Sequence, residues 1–148
     1  MRHGHSPSSA EAGVPTDALR PLSENGRRDA RRVAEEIVRR GGNLSLILHS
    51  PLVRAASTAQ EAAAALHVQA EVFAPLDNTL SPEAALAKLR ERGGQSDSIL
   101  AVGHQPQIGE MAALLTGDVF DVRPAGLIAI EFAPTPRLLW SLNVDELA

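Results

Sequence analysis

The sequence predicts a single α/β domain in three layers, a mostly parallel sheet flanked by helices, and three observations carry that expectation. Short apolar runs bounded by turn residues alternate with stretches of helical periodicity. Helix start signals follow several of those runs directly. The chain has 148 residues of which 44% are apolar, which suits one substantial core and leaves no room for a second.

Taken in order, the segment from Pro7 to Pro21 is rich in Ser, Pro, Gly and Ala and reads as a loop. From Ser23 to Arg40, the residues Ala30, Val33, Ala34, Ile37 and Val38 recur at helical spacing, with Ser23 as N-cap and Gly41-Gly42 as the stop. Leu44 to Leu48 is a buried strand, and Ser50-Pro51 opens a helix that runs to Leu66. Val68 to Phe73 reads as a second strand, after which Ser81-Pro82-Glu83 opens a helix ending near Gly93-Gly94. Ser98 to Gly103 is a third buried strand and Pro106 to Leu115 the helix behind it. Gly126 to Phe132 and Leu138 to Val144, around Pro134-Thr135-Pro136, read as two strands joined by a tight connection.

Composition excludes several functions. Without cysteine there is no disulfide framework, thiolate metal site or cysteine nucleophile. The net charge is −4 and aromatics are 3%, which argues against stacking on single-stranded nucleic acid. Arg27, Arg28, Arg31, Arg32, Arg39 and Arg40 crowd one segment, but Asp29, Glu35 and Glu36 are interleaved with them, as on a solvated helix face. No run is long and apolar enough for a signal peptide or a bilayer span, so the expectation is a cytoplasmic protein with neither membrane nor nucleic acid as partner.

Three segments fall where an α/β sheet collects its ligands, at junctions beside strand ends. They are Arg2-His3-Gly4, the stretch His49-Ser50-Pro51-Leu52-Val53-Arg54-Ala55, and Gly103-His104-Gln105-Pro106. Phosphoryl transfer needs cationic hydrogen-bond donors around the equatorial oxygens and a nucleophile in line with the leaving group. Arginine supplies a planar fork that keeps its charge, and a neutral imidazole is a competent nucleophile near pH 7. A helix start at Pro51 adds backbone N–H groups and the positive end of a dipole, with Arg54 one turn in. His49 and His67 have no motif role and read as structural. A metal site built from His3, His5, His49 and His104 is disfavoured, because no carboxylate or thiol stands beside them and the arginines would repel a cation.

Together these segments resemble the signature of the histidine phosphatase superfamily, and the chain is most similar to its small SixA-type phosphohistidine phosphatases. The likeness extends through Asp17-x-x-Arg20-Pro21-Leu22-Ser23, Asn25-Gly26, Ser50-Pro51-Leu52-x-Arg54-Ala55-x-x-Thr58 and Gly103-His104-x-Pro106. The resemblance implies a phosphoglycerate mutase-like fold in which His3 is phosphorylated and Arg2, Arg54 and His104 hold the phosphate. It implies a further phosphate-facing arginine at Arg20. Ser50 is expected to cap its helix and to lie within reach of the phosphate, and His5 is a candidate substrate contact at the rim. No metal or organic cofactor is expected.

Members of this family carry a short apolar strand before Arg-His-Gly in the middle of the sheet, whereas here only Met1 precedes the motif. The expectation is a fold lacking that N-terminal central strand, its two flanking strands deprived of a shared partner, in a chain started at an internal methionine. Larger relatives use a glutamate to protonate an alkoxide leaving group; the candidates here are Asp77 and Glu83. A phosphoramidate leaves as an easily protonated imidazole and needs no dedicated acid. Between Leu66 and Ser98 there is room for one strand, a loop and one helix, which implies an open cleft suited to a side chain on a folded protein. The expected partner is therefore a phosphohistidine-bearing protein. The rivals are a phosphatase or mutase for a small phosphate ester, and a catalytically inactive phosphate-binding module.

Overall fold

The computed structural model describes residues 1–94 and 98–147. Five strands and five α-helices alternate along the chain: α1 Ser9–Ala12, α2 Glu24–Arg39, β1 Leu46–His49, α3 Val53–Leu66, β2 Ala70–Val72, α4 Pro82–Gly93, β3 Ile99–Val102, α5 Gln107–Thr116, β4 Leu127–Glu131 and β5 Arg137–Leu142. Strands β2, β1 and β3 form a parallel sheet in that order, while β4 and β5 pair antiparallel with an irregularity at Ala129/Ile130. Strands β2, β3 and β4 sit one or two residues inside their predicted bounds, whereas β1 runs one residue past Leu48 and β5 begins one residue before Leu138.

The pleat sorts the side chains into two cores. Ile47 of β1 and Leu100 and Val102 of β3 pack with Val33 and Ile37 of α2, Ala55, Ala59 and Ala62 of α3, and Leu127 and Leu142 of the hairpin. On the other face Leu46 and Leu48 meet Leu76, Ala85 of α4 and Ile108 and Met111 of α5. Helices therefore cover both faces of the parallel strands, as the layered reading requires.

Between β3 and β4 the described residues contain no full strand. Residues 1–3 span the gap instead: Arg2 bridges Gly103 in parallel fashion. His3 N donates to Gly103 O at 3.0 Å and Gly103 N to Met1 O at 3.0 Å, while on the hairpin side Arg2 N donates to Gly126 O and Ala125 N to His3 O, each at 2.9 Å. Below this bridge a trough of about 620 Å³ separates Ile99 and Ala101 from Ile130 and Leu139. The shared partner of the flanking strands is thus reduced to three residues, yet each of the three is hydrogen-bonded to a neighbouring segment and His3 is buried.

Two predicted elements need correction. The stretch 7–21 is not all loop. It holds α1 and a 3₁₀ turn at Asp17–Leu19, because Ser8 and Glu11 form a reciprocal capping box and Gly13 closes the helix in the left-handed region. The helix after Ser50-Pro51 begins two residues later than expected, at Val53, and Leu52 occupies its cap position without a side-chain bond. The other caps follow their sequence signals: Ser23 accepts from Gly26 N and Ser81 from Ala84 N. His67 ends α3 at φ 55°, a C-terminal left-handed cap.

The arginine-rich face of α2 is ion-paired. Glu61 of α3 lies 3.6 Å from Arg27 and 3.2 Å from Arg31, Asp29 pairs with Arg28 and Arg32, and Glu36 holds Arg39 and Arg40. No helix among the described residues is long and apolar enough to cross a membrane.

One backbone crossing fixes the N-terminal segment against α2. A Cβ on Gly4 would stand 2.6 Å from Gly26 O, and a Cβ on Gly26 would stand 2.3 Å from His5 O. Both contacts are backbone, which cannot swing aside. Gly26→Ala is therefore expected to destabilise the fold by roughly 2–3 kcal/mol, lowering the melting temperature by about 5–10 °C; an unchanged melting curve would contradict the close approach.

Candidate active site

His3 leaves the three-residue bridge at the C-terminal edge of the sheet, where β1 and β3 also end. Its placement is set by backbone bonds on both sides and by Gly4, whose N–H donates to Thr58 Oγ1 on α3 at 2.9 Å. Thr58 in turn donates to Arg54 O one turn earlier at 2.8 Å. The motif residue Thr58 thus ties the histidine loop to the helix that carries the arginine.

The ring orientation of His3 follows from a bond between its Nδ1 and Gly4 O at 2.7 Å. A carbonyl only accepts, so Nδ1 carries the proton and Nε2 keeps its lone pair. Burial pushes the His3 imidazole down to about 3, and the nearby His104, Arg54 and Arg2 push in the same direction against the Gly4 bond. The ring is neutral and nucleophilic throughout the physiological range.

His104 follows β3 and faces His3 with ring centroids 5.1 Å apart and a tilt of 56°. Its Nε2 lies 2.7 Å from Ser50 Oγ, which also accepts from Leu52 N at 3.2 Å. At that distance the Ser50 hydroxyl either donates to Nε2, with the imidazole proton of His104 on Nδ1, or accepts from it. Burial and the charge of Arg54 push His104 down to about 4, with Asp17 and Asp77 acting the other way. Ser50 thus serves both the second histidine and, through Leu52 N, the approach to α3, whose cap is bare because it falls on the apolar Leu52.

Arg54 and Arg2 complete the group, and their charges reach both imidazoles. Arg54 is buried; its Nη1 donates to Asp17 O at 2.8 Å and its Nη2 to Asp17 Oδ2 at 3.0 Å. Arg2 Nη1 donates to Val122 O at 3.0 Å. Three buried atoms of this cluster have no hydrogen-bond partner among the described residues: Arg2 Nε, Arg54 Nε and His104 Nδ1. Unpartnered buried polar groups are costly, and the two arginine N–H donors beside the His3 ring, with the free nitrogen of His104, suit an acceptor such as a phosphate.

The remaining candidates stand further out. Arg20 spends its guanidinium on the loop, donating to Pro7 O, Ser6 O and Asp17 Oδ1. His5 is exposed, with Nδ1 2.8 Å from Ser23 Oγ. Asp77 accepts from Thr79 N and Thr79 Oγ1 and lies near enough to act on His104. Glu83 is an exposed first-turn residue of α4. His49 bonds the carbonyl of Ser50 through Nδ1. Behind His104, Asn78 donates to Gln105 O and accepts from Gln107 N, fastening the loop after β2 to the start of α5. Sequence reasoning assigned no role to Asp17; its spacing within Asp17-x-x-Arg20 was the only available signal.

Residues 1–79 match the family described as the histidine phosphatase superfamily (branch 1). An uncharacterized protein of Picosynechococcus is 35% identical over 136 residues, covering 88% of this chain and 81% of that one. The structure of the protein histidine phosphatase SixA complexed with tungstate superposes with a TM-score of 0.89 at 23% identity, over 100% of this chain and 97% of that chain. A phosphoserine phosphatase of Entamoeba histolytica superposes with a TM-score of 0.72 at 18% identity, over 99% and 96% of the two chains.

The depressed histidines give a directional pH test. An unfolded histidine takes up its proton near pH 6.5, whereas folded His104 and His3 do so only near 4 and 3. Their contribution to stability is complete above pH 6.5 and is lost as pH falls toward 4 and 3, at up to about 1.4 kcal/mol per pH unit per histidine. By NMR, the His3 ring should show no protonation step between pH 8 and 5; a step centred near 6.5 would contradict its burial.

Proposed function

The chain belongs to the histidine phosphatase superfamily, branch 1, and from that premise we propose that it hydrolyses phosphohistidine on a protein partner through a phospho-His3 intermediate. The observation that carries the reading is the neutral His3, with Nδ1 bound to Gly4 O, set against three unpartnered nitrogens, Nε of Arg2 and Arg54 and Nδ1 of His104. In the first step Nε2 of His3 attacks phosphorus and the P–N bond to the substrate imidazole breaks, its electron pair returning to nitrogen. A solvent proton neutralises that nitrogen. In the second step water attacks the phosphoimidazole, releasing inorganic phosphate and a proton and restoring His3.

Arg54 and Arg2 are assigned to the equatorial oxygens, where their charge compensates the transition state, and His104, with its proton on Nδ1, adds a third donor. Arg20, His5 and Ser50 are assigned to the rim and to support of this group. No metal is needed in this scheme, because cationic side chains carry the charge compensation.

Two features favour phosphohistidine over an ester. An imidazole leaves without a strong acid, and the carboxylates on hand, Asp77 and Glu83, are a turn-bound side chain and a solvent-facing one. Among the described residues the chain between α3 and β3 holds β2, a 3₁₀ turn and α4, with no inserted element to roof the site. The reading places the enzyme in the cytoplasm, in a phosphorelay or other signalling role. A small-ester phosphatase is the second reading, favoured by the fold shared with a phosphoserine phosphatase and by the proximity of Asp77 to His104.

Turnover of a phosphohistidine peptide should exceed that of phosphoserine, sugar phosphates and nucleotides. His3→Ala should lower it by at least about 10³-fold, and Arg54→Ala and His104→Ala by about 10²–10³-fold. Activity surviving His3→Ala would remove the nucleophile assignment. A preference for small esters would move the substrate to the second reading, and phosphate binding without any turnover would make the chain a binding module.

A further inference from the structure

Asp17 lies on the 3₁₀ turn between α1 and α2, 37 residues from Arg54, yet it accepts a hydrogen bond from each terminal nitrogen of that guanidinium. Its main-chain oxygen accepts from Nη1 and its carboxylate from Nη2, so both terminal nitrogens of the guanidinium are engaged along one edge. The adjacent edge, formed by Nε–H and the second N–H of Nη2, is left over. Nε is buried and without a partner among the described residues. That pair of parallel N–H groups is the fork that suits two phosphate oxygens.

The other carboxylate oxygen of Asp17 accepts from Arg20 Nη1 at 3.0 Å, and Arg20 reaches on to Pro7 O at 2.8 Å and Ser6 O at 3.2 Å. A continuous run of polar contacts therefore links the strand end that carries His3 to the guanidinium of Arg54. Both arginines hold the carboxylate of Asp17 below its usual range. Its side chain is 62% exposed, so it stands at the mouth of the site rather than inside it.

We propose that Asp17 is a positioning residue that fixes the rotation of the Arg54 guanidinium so that its Nε edge meets the phosphate. The inference rests on the reading of this site as a phosphate site, whatever the leaving group. Asp17 touches no reacting atom. Its charge works against anion binding, so its contribution is to orientation and not to attraction. Removing it should cost turnover more than affinity, a pattern that loss of a phosphate-binding cation would not give.

The test compares the wild type with Asp17→Asn, which keeps the main-chain bond and the side-chain volume. Glu11→Ala is the control, since it breaks the capping box of the same segment without touching Arg54. With inorganic phosphate as probe, the Arg54 Nε–H resonance, identified by its absence in Arg54→Lys, should move downfield in the wild type and in Glu11→Ala. In Asp17→Asn it should broaden or stay in place while the His104 ring signals still report binding. With a generic aryl phosphate, kcat should fall by about 10–100-fold in Asp17→Asn and by less than about threefold in Glu11→Ala, with KM and the inhibition constant of phosphate held or lowered in both. The same phosphate-induced Nε–H shift in Asp17→Asn and wild type, or an equal loss of kcat in both variants, would overturn the proposal. Failure of phosphate to move either Arg54 or His104 signals in the wild type would instead overturn the reading of the site itself.

Discussion

A 2.7 Å hydrogen bond from His3 Nδ1 to the carbonyl of Gly4 decides what the ring can do. It removes one nitrogen from the chemistry, hands the lone pair to the other and fixes the plane in which that lone pair lies. Desolvation then keeps the imidazole unprotonated, and the surrounding cations reinforce this instead of opposing it. Positive charge therefore has two effects in one place: it discourages protonation of the imidazole and favours the binding of an anion beside it.

Holding such a ring still takes more than its own bonds. The three residues at the start of the chain are stitched to Gly103 on one side and to Ala125 and Gly126 on the other, so His3 belongs to the sheet although the strand around it is short. Thr58 anchors Gly4 to α3, and the bare contact of Gly4 with Gly26 anchors the same segment to α2. Ser50 holds the ring of His104 by Nε2 and leaves its Nδ1 buried without a partner among the described residues. Supporting residues of this kind outnumber the groups that would touch phosphate.

Much of this was legible in the sequence, for stated reasons. Ser23 and Ser81 announced their helices because a side-chain oxygen three residues before an N–H is a local device, complete within one turn. The buried strands were legible because a four-residue apolar run between turn signals has few other uses. The four central site residues could be picked out because phosphate asks for a short list of residue types at strand ends. The same reasoning overlooked α1, although Ser8 and Glu11 carry a capping-box spacing, because Pro7, Gly13 and Pro15 around them suggested loop. It misassigned Ser50 because a serine before proline is a common cap, and only the tertiary structure shows that His104 competes for its hydroxyl. The pairing of Asp17 with Arg54 spans 37 residues and follows from no periodicity.

The position of the phosphoryl group on the trapped intermediate tests the central claim most directly. After rapid quench of the enzyme with labelled substrate, degradation to amino acids or phosphorus–nitrogen coupling in NMR distinguishes the two phosphohistidine isomers. A neutral His3 with its Nδ1 held by Gly4 predicts label on Nε2 of His3 alone. Label on Nδ1, or on any other residue, would contradict it.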